Sequence, residues 1–179
     1  YVYNDNLLAP AQVDLAVDGE RSLAGVCSGP GGTEGIMRLA FWTETNNRVL
    51  QAGLVKENNG ELIWDRGEST FTDFPISSCA YTSDTLVASP RATAAAPLIR
   101  GNVSALLSLD PESGLLVSTD LGMTTSSISI RDGLSVFAPD APVAMTAMGT
   151  MMSGGYPGGV IVLAGEVAPD DNQVVFVDP

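Results

Sequence analysis

The chain has 179 residues, no histidine and a single lysine, Lys56, and its 21 acidic side chains outnumber 8 basic ones for a formal charge of −13. Histidine is the side chain with the pKa nearest neutrality and the commonest metal ligand, so Ser-His and Cys-His catalysis and histidine-built metal centres are excluded. A pI near 4.1 opposes binding to a phosphate backbone, which Lys and Arg must neutralise, and sets nucleic acid and anionic membrane surfaces aside as partners.

The sequence opens on Tyr1 rather than methionine and shows no basic segment followed by an apolar one. A leader removed before maturity is therefore expected, with an extended N-terminal arm over 1–11. Gln12 to Val17 then alternates Val13, Leu15 and Val17 against polar or small residues, which predicts a strand, and Asp18-Gly19 supplies a tight turn. A return strand is predicted from Leu23 to Cys27. The run Ser28 to Gly35 is rich in Gly and Pro and predicts a loop, and with no lysine after its glycines it is not a phosphate cradle.

A meander follows: Ile36 to Thr43, a turn at Asn46-Asn47, Arg48 to Lys56, a turn at Asn58-Asn59-Gly60, and Glu61 to Asp65. Met37, Leu39 and Phe41 fall on one face, Arg38 and Trp42 on the other, as the two-residue pleat requires of a sheet with one buried side. Arg66 to Pro75 is turn-rich. Ala92 to Pro97, flanked by Pro90 and closed by Pro97, predicts an extended connector, because the residue before proline is pushed out of the helical region. Hairpins are predicted for Asn102–Leu109 with Leu115–Leu121, and for Ser127–Arg131 with Leu134–Phe137 around Asp132-Gly133. Val143 to Met152 predicts a strand, Ser153 to Gly159 a loop, and Val160–Glu166 with Gln173–Val177 a last hairpin. About ten short, mostly antiparallel strands without an amphipathic helix predict a single all-β domain over 1–179, a sandwich or barrel. The longest apolar runs, Val160–Ala164 and Val174–Val177, are strand-sized, far below the roughly 18 residues of a membrane helix, so no membrane insertion is expected.

Over Thr85 to Gly133 the order of an apolar strand, a strand start at Gly101, the Asp110-Pro111 hairpin and a further strand pair is similar to the CHRD domain pattern. That family's pattern continues into histidines near the position of Ile128 to Arg131. This chain has none there, so a metal role implied by them does not carry over.

Few residues suggest chemistry. A Ser-Lys dyad would depend on Lys56, which sits beside a turn where a solvated lysine is expected. No Asp-Thr-Gly or Asp-Ser-Gly occurs, and no spacing nominates a glycosidase-type carboxylate pair. Cys27 and Cys79 lie 52 positions apart, too far for a CxxC site. An oxidising compartment would pair them in a disulfide, and a reduced one would leave two buried thiols. Met145, Met148, Met151 and Met152 could hold a soft cation, but on a strand they point to opposite faces, so a packed or interface methionine patch is the expectation. Among the acidic turns, Asp170 and Asp171 are the candidate calcium ligands, and calcium is the only cofactor the sequence suggests. Asn102-Val103-Ser104 is a glycosylation sequon. Trp42, Trp64 and Tyr156 are the candidate glycan-stacking rings.

Lacking imidazole and nearly lacking amines, the chain is expected to be a non-enzymatic extracellular or surface-located structural subunit of a filament, coat or capsid-like assembly. Its partners would be other copies of itself, met through strand edges and surfaces. The alternative is a carbohydrate-binding or adhesive module, assisted by calcium.

Overall fold

The computed structural model describes residues 12–15, 17, 22–32, 36–83, 85–101, 103–119, 124–133, 136–139, 141–150, 155–168 and 171–179. Among them the protein is all-β, with thirteen strands in four antiparallel sheets and no helix. The arm expected over 1–11 lies outside the described residues. The strands fall into two compact units, Tyr1–Ile76 and Ser77–Pro179.

The first unit is a four-stranded meander in the order β1 (Leu23–Pro30), β2 (Ile36–Thr43), β3 (Asn46–Asn58) and β4 (Glu61–Phe71). The Asn59-Gly60 turn has both residues at positive φ, 54° and 84°, the combination whose twist matches a right-twisted hairpin. Elsewhere the strands outrun their expected ends. Ser28, Gly29 and Pro30 continue β1 by pairing with Leu39, Arg38 and Met37; Pro30 is tolerated because β1 is an edge strand. The β2–β3 turn is Glu44-Thr45, since Thr43 already pairs with Asn46. The stretch expected to be turn-rich from Arg66 is strand as far as Phe71. A bulge makes this possible: Gln51 pairs with Ser69 while Gly53 pairs with Arg66, so one extra β4 residue is absorbed and the ladder resumes. The strand expected over Gln12–Val17 is not formed: the described residues 12–15 and 17 carry none, and Asp18-Gly19 lies outside the description.

Phe41 is fully buried, with Leu50 and Val55 nearly so. The Phe41 and Trp64 rings meet at a centroid distance of 5.8 Å, tilted by 54°, within the range in which the ring quadrupoles attract. Phe41 is on β2 and Trp64 on β4, so they meet across β3, and Gly53 leaves the room. A Cβ on Gly53 would stand 2.6 Å from the indole and closer still to the Asp65 carbonyl oxygen.

The second unit begins with a hairpin, β5 (Ser78–Thr82) and β6 (Thr85–Ser89). Four strands follow, β7 (Ala94–Arg100), β8 (Val103–Asp110), β9 (Gly114–Thr119) and β10 (Thr124–Ile128), in the sheet order β10-β9-β8-β7. The connector expected at Ala92–Pro97 is thus mostly strand. Pro97 sits opposite Leu106 on β7, at the edge of the sheet, where a missing N–H leaves no ladder bond broken. A third sheet contains β11 (Ala141–Met148), β12 (Val160–Ala168) and β13 (Asp171–Val177). The hairpin expected around Asp132-Gly133 does not form. The described residues of 129–139 carry no strand, because the Asp132 carboxylate accepts the Ala138 N–H at 2.8 Å and Gly133 N–H donates to the Val136 carbonyl at 2.8 Å.

Pleating dictates how this unit packs. Leu107 and Leu109 of β8 and Leu115 of β9 form one buried cluster with Ile161 and Leu163 of β12 and Val175 of β13. Alternate residues of two sheets therefore face each other as a sandwich, and each fully buried aliphatic side chain contributes about 1.5–3 kcal/mol. Cys27 and Cys79 are joined in a disulfide.

Gly53→Val tests the reading of the first unit. It should lower the unfolding free energy by about 1–3 kcal/mol through overpacking against Trp64, measured by urea denaturation; a wild-type midpoint would contradict it.

Candidate functional site

The three rings singled out by sequence do not form one platform. Trp42 is 5 % exposed, and its indole lies over Gly25, its register partner on β1. Trp64 shares a face of the meander with Phe41, whereas Trp42, next to Phe41 along β2, points to the opposite face. Trp64 is half-buried and its Nε1 is enclosed without a hydrogen-bond partner. It borders a recess of about 350 Å³ whose other lining residues include Lys56, Glu57, Asn58 and Asp65. Tyr156 is half-buried in the turn before β12, where its carbonyl accepts the Gly159 N–H.

Charged groups are mostly paired or solvated. Lys56 forms an ion pair with Asp65 on the neighbouring strand, with 41 % of its side chain exposed, which is the solvated state expected of it. Asp171 is exposed at the start of β13; Asp170 and Asn102 lie outside the described residues. Among the described residues no three His, Cys, Asp or Glu side chains gather as a metal site would need. Met145 packs against the core cluster while Met148 is 49 % exposed, the split that pleating imposes; Met151 and Met152 lie outside the description.

The Asp110 turn is built by its own carboxylate. Oδ1 accepts the backbone N–H groups of Glu112 and Ser113, both at 2.9 Å, and Gly114 closes the loop at φ 74°, a conformation that only glycine adopts freely. Arg91 joins it, with Nε 3.4 Å from the Asp110 carboxylate and a terminal nitrogen 2.5 Å from Glu112. The Ser113 and Glu112 N–H bonds, aided by Arg91, hold the Asp110 carboxyl below its ordinary value of 3.8, although partial desolvation works against them.

Two features of the second unit emerge only in three dimensions. One is a cavity of about 510 Å³ between its four-stranded and three-stranded sheets, floored by core residues such as Leu107 and Ile161 and walled by described residues of 129–138. The other is the outward face of β11–β13. Val174 and Phe176 are each 60 % exposed, and Met148 is 49 % exposed. Across this face Ala144 and Thr146 of β11 pair with Ala164 and Val162 of β12, which pair in turn with Val174 and Phe176 of β13, and none of these six is charged; exposed Glu166, paired with Asn172, ends the uncharged stretch. Composition hinted at the face, since Val174–Val177 is an unbroken apolar run on a strand that can bury only alternate residues. Nothing in the linear order announced the cavity, because its walls come from segments far apart in sequence. No family model matches the chain, and no curated protein does.

The Asp110 shift carries a sign. Below 3.8 the unfolded carboxyl binds a proton before the folded one does, so stability rises with pH there and is lost as pH falls through the folded value. Asp110→Asn should therefore be less stable than wild type at neutral pH, and the gap in thermal midpoint should narrow on acidification below pH 3.8. A gap independent of pH would contradict it.

Proposed function

We propose that this protein is a non-enzymatic structural subunit of an extracellular filament, coat or capsid-like assembly, and that it meets other copies of itself through the outer face and edge of β11–β13. The observation that carries the reading is the uncharged patch on the outer face, from Ala144 across Val162 and Ala164 to Val174 and Phe176, the last two each 60 % exposed. On a chain of charge −13, like copies repel wherever acids cluster, and contact costs least where charge is missing. Among the described residues β13 is an edge of its sheet, and it carries neither charge nor proline from Asn172 to Val177. Natural edge strands that must stay single are usually blunted by Lys, Pro or a bulge, and an unblunted edge favours strand addition. The Cys27–Cys79 disulfide suits an oxidising, extracellular setting.

A carbohydrate-binding or adhesive module is the second reading. It is favoured by the recess beside Trp64, where an aromatic ring, an ion pair and an asparagine meet, the mixture of apolar face and hydrogen-bonding groups that sugars require.

Sedimentation velocity over a concentration series separates the two. Wild type should form species larger than monomer as concentration rises, and Val174→Lys/Phe176→Lys, which changes only exposed positions, should remain monomeric with unchanged circular dichroism. A wild type that stays monomeric throughout would refute assembly, and glycan-array binding lost in Asn58→Ala would then favour the second reading.

A further inference from the structure

The cavity between the four-stranded and three-stranded sheets of the second unit is a second site, which shares only Phe176 with the outer-face residues named for assembly. We propose that it binds the alkyl chain of a single-chain amphiphile with a monoanionic head group, of the kind a medium-chain carboxylate provides.

Size and polarity argue for a small apolar ligand. At about 510 Å³ the cavity lies inside the range of roughly 300–1,000 Å³ typical of small-molecule sites. Leu107, Leu115, Ile161 and Val175 line it, and all four are core residues no more than 5 % exposed. The polar side chains Ser129, Arg131 and Asp178 also line it, and all three are exposed to solvent. Apolar groups therefore form the floor and polar ones belong to the open side. Water is poorly served by such a floor, since an enclosed water needs two to four polar partners.

The loop over the cavity supplies a second, independent observation. Val136 is 49 % and Phe137 67 % exposed, and both line the cavity. Two large apolar side chains stand in water beside an apolar cavity, where an alkyl chain entering between them would cover both. The Asp132–Ala138 and Gly133–Val136 hydrogen bonds tie the described residues of this wall together, so less ordering entropy opposes binding.

Charge selects the head group. Arg131 is the one cation lining the cavity and forms no ion pair with another described residue. An arginine facing an apolar mouth favours a carboxylate, which its planar fork can bind through two hydrogen bonds. Asp178 lines the same cavity and disfavours a second negative charge, so a carboxylate fits better than a phosphate dianion.

Isothermal titration of the monomeric fraction with dodecanoate, kept below its micelle threshold, and with dodecanol tests this without reference to assembly. Wild type should bind one dodecanoate saturably in the micromolar range. Val117→Trp, which fills the cavity from β9, should weaken binding by about tenfold or more. Phe137→Ser, at an exposed position that leaves the core intact, should weaken both probes, and Arg131→Gln should weaken dodecanoate while leaving dodecanol unchanged. The proposal is overturned if wild type shows no saturable binding, as when the chain or a second copy already fills the cavity. It is equally overturned if folded Phe137→Ser and Arg131→Gln bind as wild type does, whether or not Val117→Trp folds.

Discussion

Two sheets in the second unit share one layer of aliphatic side chains, and most of what is distinctive about that unit follows from this sharing. Leu107, Leu109 and Leu115 can be buried only by residues of matching pleat on β12 and β13, and Ile161, Leu163 and Val175 provide them. Since the side-chain period is two, committing Val175 to the interior commits Val174 and Phe176 to the outside, where both remain apolar. Where the sheets do not meet, beneath the loop after β10, the same aliphatic layer becomes the floor of a cavity. Core, exposed face and cavity are thus three consequences of one register.

Charge is distributed to suit. The acids gather in turns, where Asp110 organises its loop by accepting two N–H groups and Asp132 braces the segment over the cavity. The strands beside the core and on the outer face of β11–β13 carry almost none. This is the physical sense in which the proposed assembly and the proposed alkyl-chain site belong to one molecule: both use apolar surface that charge has left free.

Periodicity made the central strands readable. The alternation of Met37, Leu39 and Phe41 marked β2 with the bounds it has, Asn59-Gly60 marked the β3–β4 turn, and Val160 and Gln173 opened strands close to where β12 and β13 run. What escaped was set by partners rather than by local pattern. Ser28-Gly29-Pro30 has loop composition, yet it pairs because β2 offers a free edge. β4 passes Gly67 because a bulge repairs the ladder, and a bulge leaves no mark beyond one glycine. In the β5–β6 hairpin Ser78 through Thr82 are all buried, so β5 has no solvent-facing side, and its five residues are too few for a period to stand out. At Asp132-Gly133 a good hairpin pair was overruled by the Asp132 side chain, which took the Ala138 N–H for itself. The candidate rings illustrate the same limit, since Trp42 is covered and Trp64 is tied to Phe41 across β3.

The shared aliphatic layer can be observed directly. Methyl-labelled protein should give nuclear Overhauser cross-peaks linking the methyls of Leu107, Leu109 or Leu115 to those of Ile161, Leu163 or Val175. Strong cross-peaks within each sheet with none between these two groups would contradict the account.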